Sequence, residues 1–368
     1  MIEFENVIKR FDTFTAVDSI SFTVPEGEVT VLIGPSGCGK TTSLRLINRM
    51  IEPTGGYIRV QGRPVKSFRP EELRRGIGYV IQSVGLLPHM SVRDNIGIVP
   101  RLLRWDKERR HRRADELLQM IGLDPETYRD KYPHQLSGGE AQRIGVARAL
   151  AANPPILLMD EPFGAVDPLN REVLQKEFLK LQRKLKKTVI FVTHDLDEAI
   201  RLGDQIILMQ AGAIVQHDTP ERILAEPANQ FVRDFVGTDR ALKRLSCFSV
   251  EDYLQEAMTV PESELRQARR SGKLVSGSGI VWVTDHDGVL QAMQRVTGNP
   301  EGEPLSEPLS RIVPAEVGIN SYSTLRDALS RILGQGLPAV PVIDDSDHVL
   351  GEIRLADIEE VNQSELTR

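Results

Sequence analysis

Short apolar runs separated by turns fill the first sixty residues, and longer stretches with helical spacing follow. Residues 2–7, 16–24 and 28–33 read as strands, with Pro25-Glu26-Gly27 as a turn. Glu52-Pro53-Thr54-Gly55-Gly56 is a second turn signal, and strands are expected at 57–60 and 77–81. From Val92 to about Ala152 the pattern is helical. Two more apolar runs, 155–159 and 189–193, read as buried strands. Near the end, Leu325, Ala328, Leu329, Ile332 and Leu333 fall at i, i+3, i+4, i+7 and i+8, an amphipathic helix closed by Gly334-Gln335-Gly336. Strands at 338–343 and 349–353 flank the turn Asp344-Asp345-Ser346-Asp347, and a short helix starts near Leu355.

The third of these strands runs into Gly34-Pro35-Ser36-Gly37-Cys38-Gly39-Lys40-Thr41, and Thr42 opens a helix-compatible segment. The match is to G-x-x-x-x-G-K-[ST], in the strand–loop–helix context that a phosphate-binding loop requires. Glycines let backbone N–H groups turn toward phosphates, and the helix N-terminus adds a positive dipole. In such a loop Lys40 reaches the β- and γ-phosphates, and the Thr41 hydroxyl holds Mg²⁺. Cys38 is a small residue within the loop.

Polar residues recur at the ends of the other apolar strands. Gln82 follows 77–81, Asp160-Glu161 follow 155–159, and His194-Asp195 follow 189–193. In a nucleotide fold, residues at the carboxyl ends of strands line the ligand crevice. Two acids ending a buried strand are costly without a task. Asp160 is placed to orient the Mg²⁺ shell, Glu161 to accept a proton from an attacking water, and His194 to hold that water and a γ-phosphate in line. Leu136-Ser137-Gly138-Gly139-Glu140 precedes a helix in which Ser137 is a good N-cap, a second place for an anion or an ordinary capped helix. Phe11 is either a core residue or a ring that stacks on a purine.

Composition narrows the setting. The chain has 368 residues, room for two or three domains, with 27% charged and 40% hydrophobic residues. A formal net charge of -6 argues against nucleic acid as a partner. Two distant cysteines, Cys38 and Cys247, make no disulfide framework and fit a reducing compartment. No apolar run approaches a membrane span, and Met1-Ile2-Glu3-Phe4-Glu5 reads as a strand, not a signal peptide. Work at a membrane would need a partner. Arg101, Arg104, Lys107, Arg109, Arg110, Arg112 and Arg113, interleaved with Leu102, Leu103 and Trp105, read as a solvated helix face, with a membrane or partner surface as the alternative.

Together these residues resemble the ATP-binding-cassette ATPases over about residues 1–237. The phosphate loop, the Leu136-to-Gly139 signature, the strand ending in Asp160-Glu161 and His194 stand in that family's order. The resemblance implies an α/β P-loop NTPase fold with antiparallel β and helical subdomains. It implies ATP hydrolysis by a head-to-tail homodimer in which Ser137, Gly138 and Gly139 of one subunit meet the γ-phosphate held by Lys40 of the other. Phe11 resembles the adenine-stacking aromatic. Gln82 resembles the residue that touches the Mg²⁺ site and links it to the transmembrane partner, and Asp167 the residue that communicates across the dimer. Two positions depart from the family: Glu140 stands where Gln is common, and Gly164-Ala165-Val166-Asp167 replaces Ser-Ala-Leu-Asp. The extra charge of Glu140 is expected to weaken ATP-driven closure.

Within the family, Ile47-Asn48-Arg49-Met50-Ile51-Glu52-Pro53-Thr54, Leu87-Pro88-His89-Met90 and Thr193-His194-Asp195-Leu196-Asp197-Glu198-Ala199 resemble ATPase subunits of importers for glycine betaine, proline or choline. That implies permease subunits, a substrate-binding protein and a peripheral position on the cytoplasmic face of the cell membrane. Importers of amino acids or polyamines share parts of these stretches. Members that act on ribosomes or DNA commonly carry two or split cassettes, and this chain has one uninterrupted cassette. After a connector at 238–250, residues 308–362 resemble a cystathionine-β-synthase (CBS) module, and 251–300 a weaker copy through Ile280-Val281-Trp282-Val283 and Asp285-His286-Asp287-Gly288. Such pairs imply regulation and an adenine or cyclic dinucleotide ligand. Here Arg354 replaces the Ser or Thr three residues before the ribose-binding Asp357, which leaves a structural role as the alternative. Residues 272–279 are a loose small-residue segment with no assigned chemistry.

Overall fold

The computed structural model describes residues 1–82, 85–164, 166–271, 274, 276–298, 304–306 and 309–363. The chain divides into two compact units, Met1–Gly237 and Thr238–Arg368. In the first unit, β1 (Ile2–Phe11), β2 (Phe14–Val24), β4 (Gly55–Val60) and β5 (Arg63–Pro64) make an antiparallel sheet in the order β2-β1-β4-β5. A second sheet has β3 (Val29–Ile33), β6 (Ile77–Val80), β7 (Ile156–Asp160), β8 (Thr188–Val192), β9 (Gln205–Gln210) and β10 (Ala213–Asp218) in the order β10-β9-β3-β8-β7-β6. All but β10 are parallel, so their carboxyl ends share one edge.

β3, β7 and β8 are buried at every position, as continuous apolar runs in a parallel sheet require. The helix Lys40–Ile47 joins both sheets. Leu44, Leu46 and Ile47 share one core with Phe4 and Phe22 of the antiparallel sheet and with Leu158 and Ile190 of the parallel one. Phe4 and Phe22 stack with ring centroids 4.3 Å apart. The helix Gly138–Leu150 lies close against β6, and Gly78 is the reason it can. A Cβ there would stand 2.5 Å from the Ala149 carbonyl oxygen and 2.5 Å from Leu157 Cδ2.

The second unit repeats one small motif. In the first copy, β11 (Thr259–Pro261) is followed by the helix Leu265–Arg270 and the hairpin of β12 (Ile280–Thr284) and β13 (Leu290–Gly298). β14 (Pro304–Ser306) and β15 (Ser310–Arg311) pair with β13. In the second copy, β16 (Ile319–Asn320) precedes the helix Leu325–Gln335 and the hairpin of β17 (Ala339–Ile343) and β18 (Val349–Arg354). The helix Leu355–Gln363 follows. Leu325, Ala328 and Ile332 of the expected amphipathic helix are buried, while Leu333 is exposed.

The copies are joined by one carboxylate. Glu352 of β18 is fully buried and accepts hydrogen bonds from Trp282 Nε1 (2.9 Å), Ser278 Oγ (2.9 Å) and Arg354 Nε (2.8 Å). Ser278 belongs to the segment 272–279, of which residues 272, 273 and 275 lie outside the described residues. The connector expected at 238–250 differs. Arg240–Arg244 is helical, and Leu245 and Val250 are wholly buried in the core of the second copy. Single apolar residues in short turns leave no period to read, so only tertiary packing reveals them.

Two glycine substitutions test this packing in opposite directions. Gly78→Ala is expected to destabilise the first unit by about 1–3 kcal/mol, because backbone must shift. Gly334→Ala, in a helix with open space around it, is expected to stabilise the second unit by about 0.5–1 kcal/mol. Urea denaturation followed separately in each unit reads both; an unchanged midpoint for Gly78→Ala would contradict the close approach.

Candidate functional site

The phosphate loop is shaped by its glycines. Gly34 has φ 148° and Gly39 has φ 109°, conformations that a side chain resists. Added Cβ atoms would stand 2.1 Å from the Met209 carbonyl oxygen and 2.5 Å from that of Ala16. Pro35, Ser36 and Gly37 are exposed at the loop's crest, while Cys38 is buried beneath it. Lys40 is nearly buried, and its ammonium donates to the carbonyls of Gly34 (2.7 Å) and Pro35 (3.0 Å). Those bonds hold the charge inside the loop. Thr41 and Thr42 are half-buried at the helix start, which has no side-chain cap on its N–H groups. Such a start suits an anion.

The strand ends converge as their spacing implies. Thr41 Oγ1 donates to Asp160 Oδ1 at 2.9 Å. Burial pushes the Asp160 carboxyl upward, and the Thr41 hydrogen bond opposes that push. Glu161 sits at φ 45°, a conformation uncommon outside glycine and often tied to function. Its Oε2 accepts from Gln82 Nε2 at 2.9 Å, and its Oε1 lies 3.3 Å from His194 Nδ1. Gln82, Glu161 and His194 therefore meet at one point, beside the Thr41–Asp160 pair. His194 is largely exposed and so open to a ligand. A hydroxyl and a carboxylate held 2.9 Å apart form a hard oxygen donor pair, which fits Mg²⁺.

A second tier of residues positions His194, and sequence reasoning gave them no role. Thr193 Oγ1 donates to the buried Glu198 at 2.6 Å and accepts from the Asp195 N–H at 3.0 Å. Gln175 Nε2 donates to the other Glu198 oxygen at 3.0 Å. Asp195 caps the helix Leu196–Leu202. The available signal was Glu198 itself, an acid on the buried face beside Ala199 and Leu202. Asn95 is a further example: it is fully buried and bonds to Leu87, Met90 and Ser91, pinning the segment 87–91.

Other expected site residues stand apart from this cluster. Phe11 is 44% exposed at the end of β1, with the Lys9 ammonium 4.7 Å from its ring centroid, so it is no core residue. Asp167 is exposed just before the helix Pro168–Leu185. Ser137, Gly138 and Gly139 open the helix Gly138–Leu150, and added Cβ atoms at either glycine would meet nothing within 4 Å. Ser137 and Glu140 form a reciprocal capping box: Ser137 Oγ accepts from the Glu140 N–H, and Glu140 Oε2 accepts from the Ser137 N–H at 2.7 Å. Glu140 Oε1 also accepts from the Tyr128 hydroxyl at 2.5 Å. The departure at Glu140 thus has a local task as the cap of its own helix. In the basic run, Arg101, Arg104, Lys107, Arg109 and Arg112 are exposed, as a solvated face requires. Arg113 is half-buried and reaches the Ala151 carbonyl.

The Tyr128 and Ser137 hydrogen bonds hold the Glu140 carboxyl below its ordinary range. A depressed acid contributes stability above its unfolded value and loses it as pH falls through the folded one. Glu140→Gln is therefore expected to melt earlier than wild type at neutral pH. The gap should close as pH drops below about 4. Thermal melts across that range check it; a gap that is constant with pH would contradict the assigned cap.

Residues 17–164 match the family model described as ABC transporter. The chain is 45% identical to the osmoprotectant import ATP-binding protein OsmV of Salmonella typhimurium, over 96% of this chain and 94% of that one. It is 42% identical to the glycine betaine/carnitine/choline transport ATP-binding protein OpuCA of Bacillus subtilis, over 98% and 96%. Among solved structures it is similar to the dimeric post-hydrolysis state of the ATP-binding cassette MJ0796 bound to ADP and Pi. There the identity is 34% and the TM-score 0.55, with 60% of this chain and 99% of that one covered. Fold, site geometry and near full-length similarity agree: the chain belongs to the ABC transporter family, among its ATP-binding subunits.

Proposed function

We propose that this chain hydrolyses ATP to power uptake of an osmoprotectant, such as glycine betaine, choline or proline, through separate permease subunits and with a substrate-binding protein. The observation that carries the chemistry is the meeting of Gln82, Glu161 and His194 beside Thr41 and Asp160 at one edge of the parallel sheet. The names of the full-length relatives support the solute class. The chain would sit peripherally on the cytoplasmic face of the membrane. Among the described residues, no helix is long and apolar enough to cross one.

In this reading Lys40 leaves the carbonyls of Gly34 and Pro35 for the β- and γ-phosphates of ATP. The loop's N–H groups cradle the same phosphates. Thr41 and Asp160, with Gln82, would hold Mg²⁺, which neutralises phosphate charge when bound. Glu161 orients the attacking water and accepts its proton, and His194 holds water and γ-phosphate in line. Phe11 stacks on the adenine. Ser137, Gly138 and Gly139 of a second copy close on the γ-phosphate, with Asp167 at the seam. ATP binding then closes the homodimer, and hydrolysis reopens it.

The second unit is read as a CBS-like regulatory pair. Its two copies of strand, helix and hairpin support this. An adenine or cyclic dinucleotide is the ligand such a pair would take, and Arg354 bears on it. Its guanidinium is paired with buried Glu352, and a Cβ on Gly277 would stand 2.8 Å from Arg354 Nη1. The arginine thus fills space beside the small-residue segment and favours a structural or gating role.

Uptake of labelled glycine betaine, with and without added salt, tests both halves. Cells lacking the chain are restored with wild type, Lys40→Ala, or a chain ending at residue 237. Wild type is expected to restore salt-stimulated uptake, and Lys40→Ala to restore none. The short chain is expected to restore uptake that no longer responds to salt. Restoration by Lys40→Ala would contradict the proposal, and an unchanged salt response in the short chain would remove the gate.

A further inference from the structure

Three arginines of the helix Lys107–Met120, Arg109, Arg112 and Arg113, line one open cavity of about 550 Å³. That volume suits a small molecule. Asn153, ahead of β7, and Leu185, ahead of β8, complete its far side. β7 and β8 are parallel, so the cavity lies at the edge where both strands enter the sheet. Glu161 follows the other end of β7, and the five residues of that strand span about 16 Å. The cavity is therefore separate from the phosphate loop.

Its charge is one-sided. Glu116 is the acid in the lining, and it is taken by Arg113 at 3.2 Å. Arg113 also donates to the carbonyls of Ala151 and Leu150. Asp106 acts on Arg109 and Arg112 from outside the lining, where its Oδ1 accepts the Arg109 N–H at 2.8 Å and caps the helix. Neither Arg109 nor Arg112 closes an ion pair among the described residues. Lys187 adds a fourth cation beside the wall, donating to Asn153 Oδ1 at 2.9 Å. Burial and the Arg113 charge push its ammonium below the ordinary range. Like charges gathered round one hollow favour an anion within it.

The remaining wall is apolar. Arg109 Cζ lies 3.7 Å from the centroid of the Trp105 ring, and Met120 and Leu185 stand beside them. A bare phosphate would leave this surface uncovered, whereas a ligand with an anionic end and an apolar body covers both. Guanidinium groups match phosphate oxygens with paired hydrogen bonds. The geometry points to a binding site for a small phosphate monoester with an apolar or aromatic body, its phosphate on Arg109 and Arg112 and its body against Trp105, Met120 and Leu185. The site does not depend on the ATPase reading given above.

Phenyl phosphate is a suitable probe, with benzyl alcohol as the probe that lacks the charge. Titration calorimetry on the full chain reads binding, in wild type and in Lys40→Ala, where the phosphate loop has lost its lysine. Saturable binding of phenyl phosphate below about 1 mM is expected in both, with benzyl alcohol and inorganic phosphate each about tenfold weaker. Arg112 is exposed, so Arg112→Glu is expected to melt with wild type while binding phenyl phosphate at least about tenfold more weakly. Arg112→Lys, which keeps the charge, should lose less. Equal affinity in Arg112→Glu would overturn the site, and so would binding that disappears in Lys40→Ala, which would place the probe in the phosphate loop. Inorganic phosphate as tight as phenyl phosphate would overturn the apolar half of the site. Sedimentation with phosphatidylglycerol vesicles that needs Arg112, without saturable binding of phenyl phosphate, would overturn the proposal and assign this face to a lipid surface.

Discussion

The contact between half-buried Thr41 and buried Asp160 is the constraint on which the first unit depends. A carboxylate at the end of an apolar strand is unfavourable unless something answers it. Here the answer comes from the first turn of the helix Lys40–Ile47, 119 positions earlier. That one hydrogen bond ties the end of β7 to the phosphate loop and so sets the loop's height above the sheet. Gly34 and Gly39 let the backbone make the tight path, and Lys40 is held within it. The remaining polar groups, Gln82 and His194, then arrive from neighbouring strands at the next residue, Glu161.

This arrangement explains why polar side chains gather at one edge of the sheet. Parallel strands bury their middles on both faces and leave only their ends for polar residues. β6, β7 and β8 each end there in a side chain that hydrogen-bonds or ion-pairs with a neighbour. The positive φ of Glu161 is a local cost that places its carboxylate between the Gln82 amide and the His194 ring. Beneath it, Thr193, Glu198 and Gln175 supply the hydrogen bonds that keep the His194 turn in place. Glu140 caps its own helix through the Ser137 N–H and accepts from the Tyr128 hydroxyl.

Much of this was legible in the chain because the relevant signals are local. The loop motif sits between an apolar run and a helix, and acids or amides directly after apolar runs mark strand ends. What escaped was non-local or aperiodic. Glu198 needed Gln175, 23 positions away, before its burial made sense. Leu245 and Val250 looked like connector residues because no repeat surrounds them, yet both lie in the second unit's core. Phe11 stood open between a core ring and one that stacks on a purine, and its exposure at the end of the β1–β2 hairpin removes only the core reading. Ser137 was legible as an N-cap, but Glu140 drew no capping role, and the Tyr128 hydroxyl that also holds it comes from a separate helix, Pro125–Tyr128.

The measurement that tests the central claim most directly is hydrolysis by the purified chain with Glu161 replaced by Gln. Gln keeps the shape and the contact with Gln82 but cannot accept a proton. The account predicts ATP binding close to wild type, a turnover lower by about 10²–10⁴-fold, and accumulation of an ATP-bound dimer. Wild-type turnover in Glu161→Gln would contradict it, and would place the reacting water away from the point where Gln82, Glu161 and His194 meet.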